Sequence, residues 1–366
     1  MEDEDELPLF AAVSSSARQL YLLLRCINFS EKAHVQISEE GLKFSVDEAG
    51  VMEGFAFLDK SLFTSYTFRA PPPQRSSIRD SDDEEDEEET STNPTFQISL
   101  PSLLETLQIF GLTDPNNSKP PWARDNPTST AFSNNVLGMN NMCRISYDSF
   151  GSPLVIVLTE ASIRTTCELT TYEPAFADEI PFDRQSLAFK TIMRGTWLFD
   201  AISELASTTP ARLTLVARLA RSQKPYFALS ASGPLGSARV EFNNNLAPST
   251  KPPPPTNPPS VENPAESPNL LETFQLSNPE TTLRYTYKFS LIQKAARAMS
   301  VATKVSVRGD TQGVLSLQFM IEVEAGKVSF VDFRFVPLVE KDGGEMDDET
   351  VLEEGEGSGS GMEDEE

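Results

Sequence analysis

The chain has 366 residues, with 55 Asp and Glu against 30 Lys and Arg, one His and three Cys, for a formal charge of -25. At first sight that acid argues against a DNA partner, whose phosphates need Lys and Arg. Cys26, Cys143 and Cys167 are far apart and form no C-x-x-C, which excludes the usual zinc and dithiol sites and suits a reducing cytosolic or nuclear setting.

The acid is unevenly placed. Residues 1–6 carry 5 acids, 80–89 carry 9 and 340–366 carry 13, with Lys341 as the one base among them. The remainder holds 29 bases against 28 acids, so the body is close to neutral. Like-charge blocks of this kind bury no apolar area and are expected to be disordered. A hydrophobic fraction of 39% with 23 Phe is enough for a core, and the length predicts about two domains. The N-terminus, Met-Glu-Asp-Glu-Asp-Glu, is the opposite of a signal peptide's basic start. Apolar runs such as 154–158 are too short to cross a bilayer, so no membrane is expected.

In chain order, 14–27 predicts a helix, with Leu20, Leu23, Leu24 and Ile27 at helical spacing. A hairpin follows: Val35 and Ile37 alternate, Glu40-Gly41 turns the chain, and Leu42, Phe44 and Val46 alternate again. A strand is expected at 54–58 and a helical turn at 59–65. Residues 70–94 read as a disordered acidic insert. A strand at 96–100 leads to a helix at 101–110, with Pro101 suited to its first turn. After a polar loop, strands are expected at 143–147, 154–159 and 163–169. Residues 172–185 read as a connector. The pattern then restarts, with a strand at 186–193, a helix at 196–206 and strands at 212–219, 226–230 and 238–242. A Pro-rich insert covers 243–280. A strand at 283–289 leads to a helix at 290–301 and strands at 304–308, 314–322 and 327–335.

The order repeats. A helix of about three turns comes four times, each followed by antiparallel-looking strands, at a spacing too long for a solenoid. The expected architecture is α+β: two similar domains of antiparallel sheet with paired helices. It comprises an acidic N-terminus at 1–6, a first domain at 7–171, the connector at 172–185, a second domain at 186–337 and an acidic tail at 338–366.

Three stretches carry a resemblance. They are 103–111, Leu-Leu-Glu-Thr-Leu-Gln-Ile-Phe-Gly; 224–230, Lys-Pro-Tyr-Phe-Ala-Leu-Ser; and 304–337, including Gly313-Val-Leu-Ser-Leu-Gln-Phe-Met-Ile and Phe330-Val-Asp-Phe-Arg-Phe-Val-Pro. With the helix and hairpin at 17–46, they resemble the Rad-one subunits of the checkpoint (nine-one-one) DNA sliding clamp, in a fungal-like form with acidic and Pro-rich inserts. The resemblance implies the sliding-clamp fold, with sheets outside a ring and helices lining its hole. It implies two other clamp subunits in a heterotrimer, a clamp loader, sequence-independent binding of double-stranded DNA, checkpoint and repair proteins as further partners, and a nuclear location. It implies no cofactor, and no Gly-x-x-x-x-Gly-Lys-Ser/Thr is present to make this chain the ATP-driven loader.

A sliding ring needs loose attraction to phosphate. Arg18 and Arg25, seven apart, share a face of the first helix; Lys294 and Arg297 share one on the fourth. These four are the expected DNA-facing residues, against the alternative of an ordinary solvated surface. The second and third helices carry Glu105, Asp200 and Glu204 and no base. In related clamps the connector borders a partner-peptide groove, which makes Tyr172, Phe176, Ile180 and Phe182 candidate lining residues. Equally, these side chains would simply pin the connector to the sheets. Catalysis by a Ser-His-Asp or Cys-His centre would depend on His34, which reads as a strand histidine. The alternative function is a metal-dependent 3'-5' DNA exonuclease, for which Glu322, Glu324 and Asp332 are the available carboxylates; sheet alternation gives the same pattern without metal. A third reading, an acidic histone-binding protein, explains the tails but not the four helical modules.

Overall fold

The computed structural model describes residues 7–70, 93–109, 142–160, 163–174, 179–220, 224–242, 270–324 and 326–339. Most of the insert at 70–94, the polar loop and the tail beyond Val339 lie outside them.

The first half runs β1 (Phe10–Ser14), α1 (Ala17–Cys26), β2 (Lys32–Ile37), β3 (Gly41–Glu48), β4 (Met52–Asp59), β5 (Ser65–Phe68), β6 (Thr95–Ser99), α2 (Leu100–Leu107), β7 (Met142–Tyr147), β8 (Leu154–Glu160) and β9 (Ile163–Leu169). The second half repeats that order. It runs β10 (Leu187–Arg194), α3 (Gly195–Ala206), β11 (Arg212–Leu219), β12 (Pro225–Gly233), β13 (Gly236–Phe242), β14 (Thr273–Leu276), β15 (Leu283–Lys288), α4 (Phe289–Lys294) with α5 (Ala296–Val301), β16 (Lys304–Asp310), β17 (Leu315–Glu324) and β18 (Lys327–Phe335).

Local chemistry explains the elements. In α1, Leu20, Leu23 and Leu24 form the buried stripe and Arg25 stays exposed. Ser99 caps α2, its hydroxyl accepting from the Ser102 N–H at 3.3 Å, with Pro101 in the first turn. The strands bury alternate residues, as in β18, where Ser329, Val331, Phe333 and Phe335 turn inward.

The sheets also obey the repeat. Strands β5-β1-β7-β8-β9 form one sheet, and β13-β12-β11-β15 another. Between them lies a nine-stranded sheet, β14-β10-β16-β17-β18-β4-β3-β2-β6. It is a five-strand set from the second half joined to a four-strand set from the first, through β18 and β4. Gly54 lies at this seam. An added Cβ would come 2.7 Å from the Phe29 ring of the same half and 3.2 Å from Phe333 across the seam, so the packing of both rings over β4 needs a residue without a side chain.

Four expectations change. Residues 10–14, given partly to the first helix, form β1, and the helix starts at Ala17. Residues 65–68 form β5, beyond a single turn of 3-10 helix at Lys60–Leu62. Residues 273–276, placed in the Pro-rich insert, form β14 against β10. The fourth helix is broken: the Ala295 N–H bonds to the Ile292 carbonyl at 3.1 Å, an i to i−3 contact that tightens the turn and separates α4 from α5.

Candidate DNA-facing helices and connector groove

The helices pack as a layer, with α1 against α2 and α5, and α5 against α3. This brings the bases of the first and fourth helices to one junction. Arg25 and Arg297 both act electrostatically on the buried Cys26 between them, although burial dominates and pushes that thiol up to about 12. Arg25 is exposed, with its guanidinium 5.6 Å from the Tyr21 ring centre. Arg297 is half-buried, and its Nε has no hydrogen-bond partner among the described residues. Arg18 is half-buried about two turns before Arg25, on the same face of α1. Lys294 differs from the others, because its Nζ bonds to Glu48 of β3 at 2.8 Å and joins the halves. On α2 and α3 the exposed positions include Glu105, Asp200 and Glu204. Basic charge in the helix layer is therefore concentrated at α1 and α5.

The connector crosses the seam of the large sheet on its outward face. Tyr172 exchanges two backbone hydrogen bonds of 2.8 Å with Gln97 of β6. Its exposed ring lies 4.5 Å from the Lys32 ammonium. Phe176 lies outside the described residues. Glu179 bonds to Lys43 and approaches Arg334 at 3.4 Å. Burial pushes the Glu179 carboxyl up, but the two cations outweigh it and hold the group below the usual carboxylate range. Ile180 is buried, and its carbonyl accepts from Arg334 Nη1 at 2.7 Å. Phe182 lies under the Arg308 guanidinium at 5.5 Å. Of the four connector candidates, Ile180 and Phe182 thus pack on the sheet, and Tyr172 is paired to its edge by backbone with the ring left exposed.

Between connector and sheet is a cavity of about 310 Å³, lined by His34, Lys43, Glu53, Phe55, Pro174 and Glu179. Glu53 is buried there. Its carboxyl is pushed up by that burial, against the opposing effects of the Ile180 N–H and Arg334. His34 lies with Nε2 2.7 Å from the Gln97 amide nitrogen, and burial lowers its pKa. Periodicity gave no reason to join Lys43, Glu53 and Arg334 in sequence. Their common signal was charge at outward positions of alternating strands.

The carboxylates of the exonuclease alternative do not converge. Asp332 accepts from Ser316 at 2.9 Å and pairs with Arg308 at 3.3 Å. Glu324 pairs with Lys327 at 2.9 Å. Glu322 stands opposite Val328 and Asp332 opposite Gln318, four residues along the ladder, or about 13 Å. Ions ~3.5–4 Å apart need ligands much closer together. Among the described residues no group of three or more His, Cys, Asp or Glu is placed to hold a metal.

Two repeated halves fused through one sheet, with a layer of helices on the opposite side of the core, define the sliding-clamp fold. PCNA of Thermococcus kodakaraensis has the same fold at a TM-score of 0.56 and 15% identity, over 90% of this chain and 100% of that one. Residues 9–321 match the family described as Repair protein Rad1/Rec1/Rad17, and the chain belongs to it. The DNA damage checkpoint control protein rad1 of Schizosaccharomyces pombe is 31% identical over 90% of this chain and 87% of its own length. The human cell cycle checkpoint protein RAD1 is 27% identical over 92% of this chain and 94% of its own.

Proposed function

We propose that this chain is one subunit of a heterotrimeric checkpoint sliding clamp. A clamp loader places the ring around double-stranded DNA at damage sites in the nucleus. There it acts as a scaffold for checkpoint and repair proteins, without a chemical step of its own. The observation that carries this is the broken symmetry of the sheets. Within the chain, β18 pairs with β4. Their counterparts in the repeat, β9 and β13, each have one neighbour and an open edge among the described residues. Edge strands with unpaired N–H and C=O groups recruit other strands. Pairing β9 of one subunit with β13 of the next would reproduce the internal seam at every junction and close a ring. In that ring Arg18, Arg25 and Arg297 face DNA, with Lys294 contributing less because Glu48 offsets its charge. The groove beside Tyr172 would then take a partner segment.

The test is co-purification with candidate clamp subunits, followed by loading onto primed circular DNA. The expected product is a complex with one copy of each subunit that is retained on closed DNA and slides off when the DNA is cut. A chain that stays monomeric with every candidate overturns the proposal.

A further inference from the structure

The four-stranded sheet β13-β12-β11-β15 has two very different faces. Leu213, Leu215, Phe227, Leu229 and Tyr287 turn into the core. The register fixes what lies on the other side. Arg212 stands opposite Lys288 and Val216 opposite Arg284 on β15; Arg218 stands opposite Tyr226 on β12, and Ser230 opposite Arg239 on β13. Directly opposed residues share a face. Five cations therefore share this face, and three of them, Arg212, Arg239 and Arg284, line a concavity of about 590 Å³ with a floor of small side chains, Thr214, Ser230, Ser232 and Ser237.

Glu241 is the acid on this face, and Arg239 pairs with it at 2.9 Å. Arg218 lies over the Tyr226 ring. Arg212, Arg284 and Lys288 are exposed and carry no ion pair among the described residues. A cationic face in a chain of charge -25 calls for an anionic occupant.

The chain itself supplies one at the right place. The Leu338 N–H bonds to the Thr286 carbonyl at 2.7 Å, beside the edge of β15 and between the positions of Arg284 and Lys288. Residues 340–366 follow, with 13 acids and one base. Four strands span ~15 Å, which about five extended residues would cross. Tethering at that distance raises the local concentration of acid to the order of millimolar.

We propose that the acidic segment 340–366 docks on this basic face in cis and shields it from other polyanions. This reading is independent of ring formation and requires no partner subunit.

The test compares the full chain with a full-length variant in which every Asp and Glu of 340–366 is replaced by Asn or Gln. The probe is a labelled DNA single strand of about 30 nucleotides at about 50 mM salt. Neutralising the segment is expected to tighten binding about tenfold, and adding Arg212→Ala, Arg284→Ala and Lys288→Ala should remove that gain. In the unaltered chain, carbodiimide should join Lys288 to acids of 340–366 within one molecule, a product lost at high salt. The cross-link needs no variant to fold. Unchanged binding on neutralisation, a gain that survives the triple substitution, or the absence of the cross-link would each overturn the proposal and leave the face to an external partner.

Discussion

Asp332 sits where two carboxylate oxygens meet Ser316 and Arg308, with little solvent access. Burial pushes its carboxyl up, while Arg308 and the Ser316 hydroxyl draw it back. Replacing it leaves a buried guanidinium without its counter-charge, and removing one member of such a pair costs about 3–5 kcal/mol. Asp332→Asn should therefore lower unfolding free energy by about 3 kcal/mol, read as a lower denaturant midpoint at unchanged slope. Glu179 makes the opposite kind of prediction. Its folded-state pKa lies below the ordinary value of 4.5, so its stabilising effect is complete above that value and is lost as pH falls through the folded pKa. Thermal midpoints from pH 3 to 7 should fall less steeply on the acid side in Glu179→Gln. An identical acid limb in the variant would mean that the Lys43 and Arg334 contacts do not hold the connector.

At the scale of elements, the seam between β4 and β18 depends on tight packing. Phe333 meets Phe29, Phe319 and Phe335 with ring centres 5.7–6.3 Å apart, and Gly54 makes room for the first of these. Gly54→Ala should cost about 1–3 kcal/mol by forcing the Phe29 ring aside. An unchanged melting temperature would show that the ring yields freely. The same elements show what pattern could reveal. The leucine stripe of α1 and the alternation in β2, β3 and β18 were legible, because burial on one face repeats at a fixed period. The strand β1, Phe-Ala-Ala-Val-Ser, was not, because its buried Ala12 and Ser14 carry no apolar signal. The four-residue strands β5 and β14 are too short to establish a period and are held by β1 and β10. The break at Ala295 has no breaker residue, so composition could not announce it.

For the whole molecule, the layer of helices and the two open edges matter most. If the α1 and α5 bases face DNA, Arg25→Glu with Arg297→Glu should weaken the assembled ring's DNA association. The slope of log affinity against log salt should fall by about 2. An unchanged slope would assign the attraction to other subunits. The sequence alone determined the repeated helix-and-strand order, the near-neutral body and the segregation of acid, since these are properties of local period and composition. The tertiary structure decided which charges remain available. Lys294, one of four equivalent bases in sequence, is drawn to Glu48 across the seam, and Asp332, one of three loose carboxylates, is held by Arg308. It also decided that β18 pairs with β4 while β9 and β13 stay open among the described residues. Those outcomes depend on contacts between residues far apart in the chain, and no local pattern encodes which distant edges and charges will meet.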